Sequence, residues 1–275
     1  MILLKNFLKK DGIGEPPWEY DFLYNLPESE YPKYLAKIFN YRTGEKLPLR
    51  FDFGKKAWVI DKNKCKTFNQ KIQWLKLYDS TPLKRDCTDK IKVRDYVKEK
   101  IGEEYLKPVL QICDSFDEID FDKLPNSYVI KCNHGCKWQY MIKNKKEFLN
   151  TKPIFELAKR NMIGWLEQEF WAWNGFELQY KGIEPKILIE SLLRDEINKN
   201  SEEIQFYCFN EIPKFIVRLQ DRYISLYDEN LNIIDNVLIE NDIQINKPVD
   251  DLLNQSLVLS KDLSENFSFV RGINV

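Results

Sequence analysis

The amino-acid sequence predicts a mixed α+β fold in which short strand hairpins and helices alternate along the chain. Apolar residues recur every three or four positions over Gln70–Tyr78 and Thr88–Ile101, and this spacing is typical of amphipathic helices. Short apolar runs such as Val109–Cys113 and Ser127–Cys132 are bounded by turn residues and predict strands. Hairpins mixed with helices indicate an α+β architecture.

The first 66 residues are interrupted by prolines, which break helices. They predict a short helix at the start, a helical turn around Tyr34–Tyr41, and a hairpin of Arg50–Phe53 with Ala57–Ile60. In the helix over Thr88–Ile101, Thr88 or Asp89 is the expected N-cap.

Beyond the strand that ends at Cys132, a tight loop over Asn133–Trp138 leads into a returning strand, Gln139–Lys143. The longest helix is expected over Thr151–Trp173, with an apolar stripe along one face. The remaining predicted elements are strands at Leu178–Tyr180, Lys186–Leu192, Ile204–Phe209, Lys214–Leu219 and Tyr223–Tyr227, and a helix over Pro248–Leu263.

Composition excludes several classes of protein. The 275 residues include 17 Phe, 14 Tyr and 7 Trp, too many large apolar side chains for a disordered chain. No run of about 18 uncharged apolar residues is long enough to span a bilayer. A net charge of −1 does not indicate a nucleic-acid partner. Six cysteines without an export signal predict reduced thiols and a cytoplasmic location.

The near-zero net charge hides an asymmetry along the chain. Residues 51–100 carry 14 Lys and Arg against 7 Asp and Glu, whereas residues 193–275 carry 8 against 15. Either an anionic ligand binds between a basic and an acidic segment, or both segments are ordinary solvated surfaces.

The most informative motif is the strand–loop–strand segment Tyr128–Trp138. Lys131 lies near the end of the first strand, and the loop turns through Asn133, His134 and Gly135. Backbone N–H groups of such a loop suit phosphate oxygens, and a lysine adds a point charge. The alternative is an exposed hairpin with a solvent-facing lysine. A zinc site at Cys132-x-His134-x-Cys136 lacks a second ligand pair, and no nucleophile-elbow motif supports a hydrolase.

Four further groups carry possible chemistry. Lys90 and Arg94 stand four residues apart on a predicted helix, as a cationic clamp or a solvated face. Glu190 ends an apolar strand, and Arg222 follows a later hairpin together with Arg218 and Asp221. Three tryptophans, Trp165, Trp171 and Trp173, could form a sugar-binding platform. The alternative is that they are part of a core, because helices rich in aromatic residues usually bury them.

Taken in order, several segments resemble the TupA-like ATP-grasp family of bacterial surface-polysaccharide synthesis, including teichuronopeptide synthesis. The specific part of the likeness comprises Thr67–Asp79, Thr88–Val97, Ile101–Leu106, Asp114–Pro125 and Val129–Gly135. Phe206–Asn210 and Phe269–Arg271 are similar but looser, so that the resemblance spans about Thr67–Arg271.

The resemblance implies an ATP-grasp fold of two α+β lobes with the nucleotide between them. It divides the chain into an N-terminal extension (1–66), an N-terminal lobe (67–126), a flap subdomain (127–192) and a C-terminal lobe (193–275). Near its end the chain departs from the pattern of the family: Glu203–Gln205 and Glu211 stand where the family usually has other residues. By the resemblance, the C-terminal strands that would supply the Mg²⁺ carboxylates are expected to be missing from the sequence up to Val275.

By the same resemblance, the protein is expected to be an ATP- and Mg²⁺-dependent ligase that joins a carboxylate to an amine through an acyl phosphate. The carboxylate is expected on a small-molecule or lipid-linked sugar, and the amine on an amino acid or related compound. The implied phosphate contacts are Lys90 or Arg94 from the first lobe and Lys131 from the second.

The resemblance also assigns other residues. It implies a flap of Asn133, His134 and Gly135, adenosine binding at Glu190, and a contact of Arg222 with the transferring phosphoryl group or the acceptor carboxylate. No Mg²⁺ ligand is assigned. Two alternatives stay open: an ATP-grasp protein that binds nucleotide, sugar or a partner without catalysis, and a glycosyltransferase-type protein.

Overall fold

A computed structural model of the 275-residue chain describes residues 25–173, 175–192, 202–220, 223–234, 243–244, 247–265, 267 and 269–271. The short helix expected at the start of the chain lies outside these residues, as does Arg222. The described elements form an α+β protein, as the sequence predicts.

The helices and strands follow one another in the mixed order expected of this class. The helices are α1 (Tyr31–Thr43), α2 (Phe68–Tyr78), α3 (Pro82–Thr88), α4 (Val93–Lys100), α5 (Lys145–Asn150), α6 (Lys152–Leu166), α7 (Phe170–Trp173) and α8 (Asp251–Ser264). The strands are β1 (Leu49–Asp52), β2 (Ala57–Ile60), β3 (Val109–Cys113), β4 (Tyr128–Cys132), β5 (Gln139–Ile142), β6 (Ile187–Ser191), β7 (Glu203–Phe209), β8 (Ile212–Gln220), β9 (Tyr223–Asp228), β10 (Ile243–Gln244) and β11 (Phe269–Arg271).

The chain divides into two compact units, each of which is built from three separate segments of the sequence. The first unit comprises residues 1–89, 134–137 and 164–185, and the second comprises residues 90–133, 138–163 and 186–275. The four segments expected from the resemblance therefore remain a prediction about domain organisation.

The first unit has an aromatic-rich core. Apolar side chains of α1 pack with Ile60 of β2, and Trp171 of α7 is almost completely buried among them. The ring of Trp171 lies 5.6 Å from that of Tyr31. Trp171 therefore belongs to the core, the second of the two roles considered for the tryptophans. Next to this core, β1 and β2 form the expected antiparallel hairpin.

The second unit contains two sheets. The four-stranded sheet has the order β3-β6-β4-β5 and is antiparallel throughout, so β6 lies between two strands that precede it in the sequence. The five-stranded sheet has the order β10-β9-β8-β7-β11. Its core is formed by alternate residues of β7, including Ile204 and Phe206, together with Leu253 of α8.

Three predicted elements are wrong in extent or type. The helix expected from Thr88 starts only at Val93, because Thr88 is the last residue of α3, which the Thr81 hydroxyl caps at its start. The long helix ends at Leu166, and α7 is a separate short helix. Leu178–Tyr180 forms a 3₁₀ turn instead of a strand. Among the described helices, none is both long and apolar enough to cross a membrane.

Candidate functional site

Two neighbouring strands of the second unit bring a lysine and a glutamate together. In the antiparallel pairing of β4 with β6, Val129 lies opposite Glu190. Lys131 is two residues beyond Val129, so its side chain leaves the same face of the sheet and reaches Glu190 diagonally. The Lys131 ammonium forms an ion pair with Oε2 of Glu190.

A second cation reaches the same carboxylate from α4. The Arg94 Nη1 atom lies 3.2 Å from Oε1 of Glu190, and Nη2 donates a hydrogen bond of 2.6 Å to the backbone carbonyl of Lys107. Each carboxylate oxygen of Glu190 thus faces a different cation. We refer to Arg94, Glu190 and Lys131 as the cationic triad.

The triad is largely withdrawn from solvent and carries a net positive charge. The Glu190 side chain is 7% exposed, and those of Arg94 and Lys131 are 20% and 19% exposed. Two cations share one carboxylate, so one positive charge is left without a counter-charge inside the triad. In a site of reduced dielectric, this excess favours an anionic ligand. Lys131 is therefore not the solvent-facing lysine of an ordinary exposed hairpin.

Lys90 contacts Asn133, the residue that directly follows β4. The backbone N–H and the Nζ of Lys90 both approach the carbonyl oxygen of Asn133, at 3.3 and 3.4 Å. Lys90 precedes the start of α4, so it does not share a helix face with Arg94, contrary to the expected four-residue spacing on one helix. Both residues nevertheless lie in the second unit.

Asn133 is a buried connection between β4 and the segment that enters β6. Its backbone N–H donates to the carbonyl of Lys186 at 3.1 Å, and its side-chain Oδ1 accepts from the N–H of Lys186 at 2.7 Å. The N–H of Asn133 is therefore already engaged and is not available to a phosphate oxygen. The side chain of Asn133 positions the strands, and its flap role stays a prediction.

His134 and Gly135 belong to the first unit and are buried. Nε2 of His134 lies 3.0 Å from the carbonyl oxygen of Trp165 and 3.2 Å from that of Gln168. Because carbonyl oxygens only accept, Nε2 carries the hydrogen and donates to both. His134 thus fastens the loop to the backbone of its own unit. Its flap role stays a prediction.

Cys132, His134 and Cys136, the residues considered for zinc, differ in their surroundings: Cys132 and His134 are buried and Cys136 is exposed. Burial raises the pKa of the Cys132 thiol to about 12, more than the nearby Lys90 lowers it, which keeps the sulfur protonated near neutral pH. Among the described residues, no three His, Cys, Asp or Glu side chains are grouped to hold a metal ion.

Of the two arginines near the later hairpin, the structure describes Arg218 but not Arg222. Arg222 lies outside the described residues. Arg218 is buried on β8, where its guanidinium donates to Glu202 at 2.8 Å and to Asp250 at 2.7 Å. Lys247 pairs with the same Glu202 carboxylate. Sequence reasoning missed this ion network, since its members come from three separate segments: Glu202 just before β7, Arg218 on β8, and Lys247 and Asp250 just before α8.

A comparison with known families identifies the family of the chain. The sequence model of the TupA-like ATPgrasp family matches residues 70–273. The chain belongs to the TupA-like ATP-grasp family. This confirms the resemblance, and the matched range contains Lys90, Arg94, Lys131 and Glu190. Membership indicates an ATP-dependent activity of the ligase type. Neither the curated proteins nor the solved structures contain a significant match to this chain.

Proposed function

We propose that the protein is an ATP-dependent ligase that joins a carboxylate to an amine, and that Lys131 and Arg94 bind the phosphates of ATP. The observation that carries the proposal is the cationic triad, a buried site with excess positive charge inside the family match. ATP supplies the phosphoryl group that activates the carboxylate for attack by the amine, and positive charge is required where the phosphate oxygens gain negative charge.

Each triad residue has a distinct part in this proposal. Arg94 is held in place by the Lys107 carbonyl, so its guanidinium offers a fixed planar donor to a phosphate. Lys131 offers a point charge on a rigid strand. Glu190 holds the two cations next to each other and partly neutralises them until an anion arrives. We further propose that Lys90, which contacts Asn133 just beyond β4, contributes a third positive charge to the phosphate site.

The finer parts of the proposal concern substrates and metal. We propose a sugar acid of a bacterial surface-polysaccharide precursor as the carboxylate, an amino acid or related amine as its partner, and the cytoplasm as the location. Mg²⁺ commonly uses one or two protein carboxylates and completes its shell with phosphate oxygens and water. We therefore propose Mg²⁺–ATP as the bound species, without assigning protein ligands to the metal.

Calorimetric titration with Mg²⁺–ATP tests the phosphate site. We expect binding to the natural chain and a loss of about tenfold or more in affinity for Lys131→Met, because a charged hydrogen bond is removed while the apolar stem is kept. Lys159→Met is the matched control. Lys159 also belongs to the second unit and is also paired with an acid, Asp117, but lies outside the triad.

Turnover tests the reaction class. We expect ADP release that requires both an acid and an amine, screened as a panel of sugar acids with amino acids. Absence of heat at millimolar Mg²⁺–ATP, or equal affinity of Lys131→Met and the natural chain, would contradict the phosphate site. Binding without ADP release would favour a binding protein, and sugar transfer from an activated donor would favour a glycosyltransferase.

A further inference from the structure

The hairpin of β1 and β2 has an apolar face that begins in the core of the first unit and continues into its solvent-exposed turn. Phe51 lies opposite Trp58, and Leu49 lies opposite Ile60. In a pair of antiparallel strands, residues directly opposite one another share a face of the sheet, and so do residues two positions apart on the same strand. Leu49, Phe51, Trp58 and Ile60 therefore form one apolar face of the hairpin.

Exposure increases steadily along this face toward the turn. Ile60 is 3% exposed in the core of the first unit, Phe51 is 38% exposed, and Phe53 at the turn is 84% exposed. The rings remain in contact with one another: that of Phe51 is 5.1 Å from Phe53 and 5.7 Å from Trp58. We call Phe51, Phe53 and Trp58 the aromatic tip.

The turn holds Phe53 outward. The Oδ1 atom of Asp52 accepts hydrogen bonds of 3.1 Å from the N–H groups of both Gly54 and Lys55. The hydrogen bond from Lys55 is the main reason why the pKa of Asp52 lies below its ordinary value, so the carboxylate stays charged and keeps the turn closed. The exposure of Phe53 is thus fixed by the backbone of a bonded turn.

Basic residues are frequent in the sequence around the aromatic tip. Lys55 and Lys56 follow Phe53 in the turn, and Arg50 lies on the other face of β1. Residues 42–66 carry eight Lys and Arg against three Asp and Glu. One of those acids, Asp52, is occupied by the turn and lies 3.4 Å from Arg50. The segment therefore combines aromatic rings at the hairpin turn with an excess of basic residues in the turn and on either side of the hairpin.

We propose that the aromatic tip docks the protein onto a lipid bilayer with anionic headgroups. Aromatic side chains partition to the bilayer interface, and Lys or Arg near an anionic surface each add about 1 kcal/mol of attraction. A protruding tip matches the headgroup layer of a bilayer, whereas pockets for small molecules are concave. The tip belongs to the first unit, so this inference is independent of the ATP site in the second unit.

Vesicle sedimentation with the full chain tests the inference without nucleotide. We expect binding to phosphatidylcholine vesicles that contain phosphatidylglycerol, weak binding to phosphatidylcholine alone, and release at high salt. Phe53→Ala is expected to weaken binding about tenfold or more, because the aromatic ring no longer transfers from water to the interface. Lys55→Ala with Lys56→Ala is expected to weaken binding about thirtyfold, from two lost charges.

Phe215→Ala provides the matched control, since Phe215 is 52% exposed on β8 of the second unit. It is expected to bind vesicles like the natural chain. Circular dichroism and sedimentation velocity of each variant accompany the assay. The inference is overturned if the natural chain binds neither vesicle, if it binds both equally, or if Phe53→Ala retains full binding. It is also overturned if the natural chain is an oligomer that Phe53→Ala converts to a monomer, because the tip would then dock onto a second copy.

Discussion

The cationic triad makes a quantitative prediction about stability. In Glu190→Gln, Arg94 and Lys131 lose their shared counter-charge while both remain about four-fifths buried. Leaving buried charge uncompensated costs several kcal/mol, and we expect a loss of about 3 kcal/mol in the free energy of unfolding. In Lys131→Met, Glu190 keeps Arg94 as a partner, and we expect a loss of about 1 kcal/mol.

The double variant distinguishes a coupled triad from two independent contacts. With both changes, Arg94 no longer faces an unpaired Lys131, so we expect a total loss of about 2 kcal/mol instead of the additive value of about 4 kcal/mol. Urea unfolding of the four proteins, followed by circular dichroism, measures the difference, provided that the slopes agree. A coupling energy below about 0.5 kcal/mol would refute the reasoning, because independent sites add within that margin.

An exposed ion pair of the same unit serves as the reference cycle. Lys159 pairs with Asp117, whose side chain is 77% exposed. Solvent-exposed pairs contribute little, so the cycle Lys159→Met with Asp117→Asn is expected to show a coupling below about 0.5 kcal/mol.

Two further predictions concern other parts of the chain. Arg218→Met is expected to lower the free energy of unfolding by about 3 kcal/mol near neutral pH, since the buried Arg218 joins Glu202 and Asp250. Burial raises the pKa of Glu202, but hydrogen bonds from Lys247 and Arg218 lower it more, and the hydrogen bond from Arg218 lowers the pKa of Asp250. The stabilisation is therefore present above the ordinary carboxyl pKa and is lost as pH falls through the lowered pKa values. In thermal melts, the difference in stability between Arg218→Met and the natural chain should therefore disappear at acid pH. Thr67→Ala removes the hydroxyl that caps α2 and should cost about 1 kcal/mol by urea unfolding, with Thr67→Ser nearly neutral.

The strands of the four-stranded sheet were predictable because their signals are local. Val109–Cys113 is predicted and observed with identical bounds, and Ser127–Cys132 differs by one residue from β4. Each is an apolar run closed by turn residues, so no tertiary information is needed. The start of α4 is different: the spacing of Val93 and Val97 is helical, but extension back to Thr88 ignored the signal of Thr81 followed by Pro82, which begins a separate helix.

The triad was not predictable from local pattern. Glu190 lies 59 residues after Lys131 and 96 residues after Arg94. Lys131, Arg94 and Glu190 were each singled out by position, yet their pairing depends on β6 inserting between β3 and β4. Strand order of this kind is set by the packing of the whole sheet. Alternation within β4 did place Lys131 on one face, and knowledge of its neighbour strand would have supplied the partner.

Glu190 also allows a test that separates two roles for one carboxylate. If phosphates bind Lys131 and Arg94, as proposed, they compete with Glu190 for the same cations. Glu190→Gln should then bind Mg²⁺–ATP more tightly than the natural chain while being less stable, since the competing charge is gone. If Glu190 instead holds the adenosine, as the family resemblance implies, the same variant should bind more weakly, because a charged acceptor has been lost. The sign of the change in affinity, measured by calorimetry below the unfolding temperature of the variant, therefore decides between a counter-ion and a nucleoside contact. A stability loss without any change in affinity would place the triad outside the nucleotide site altogether.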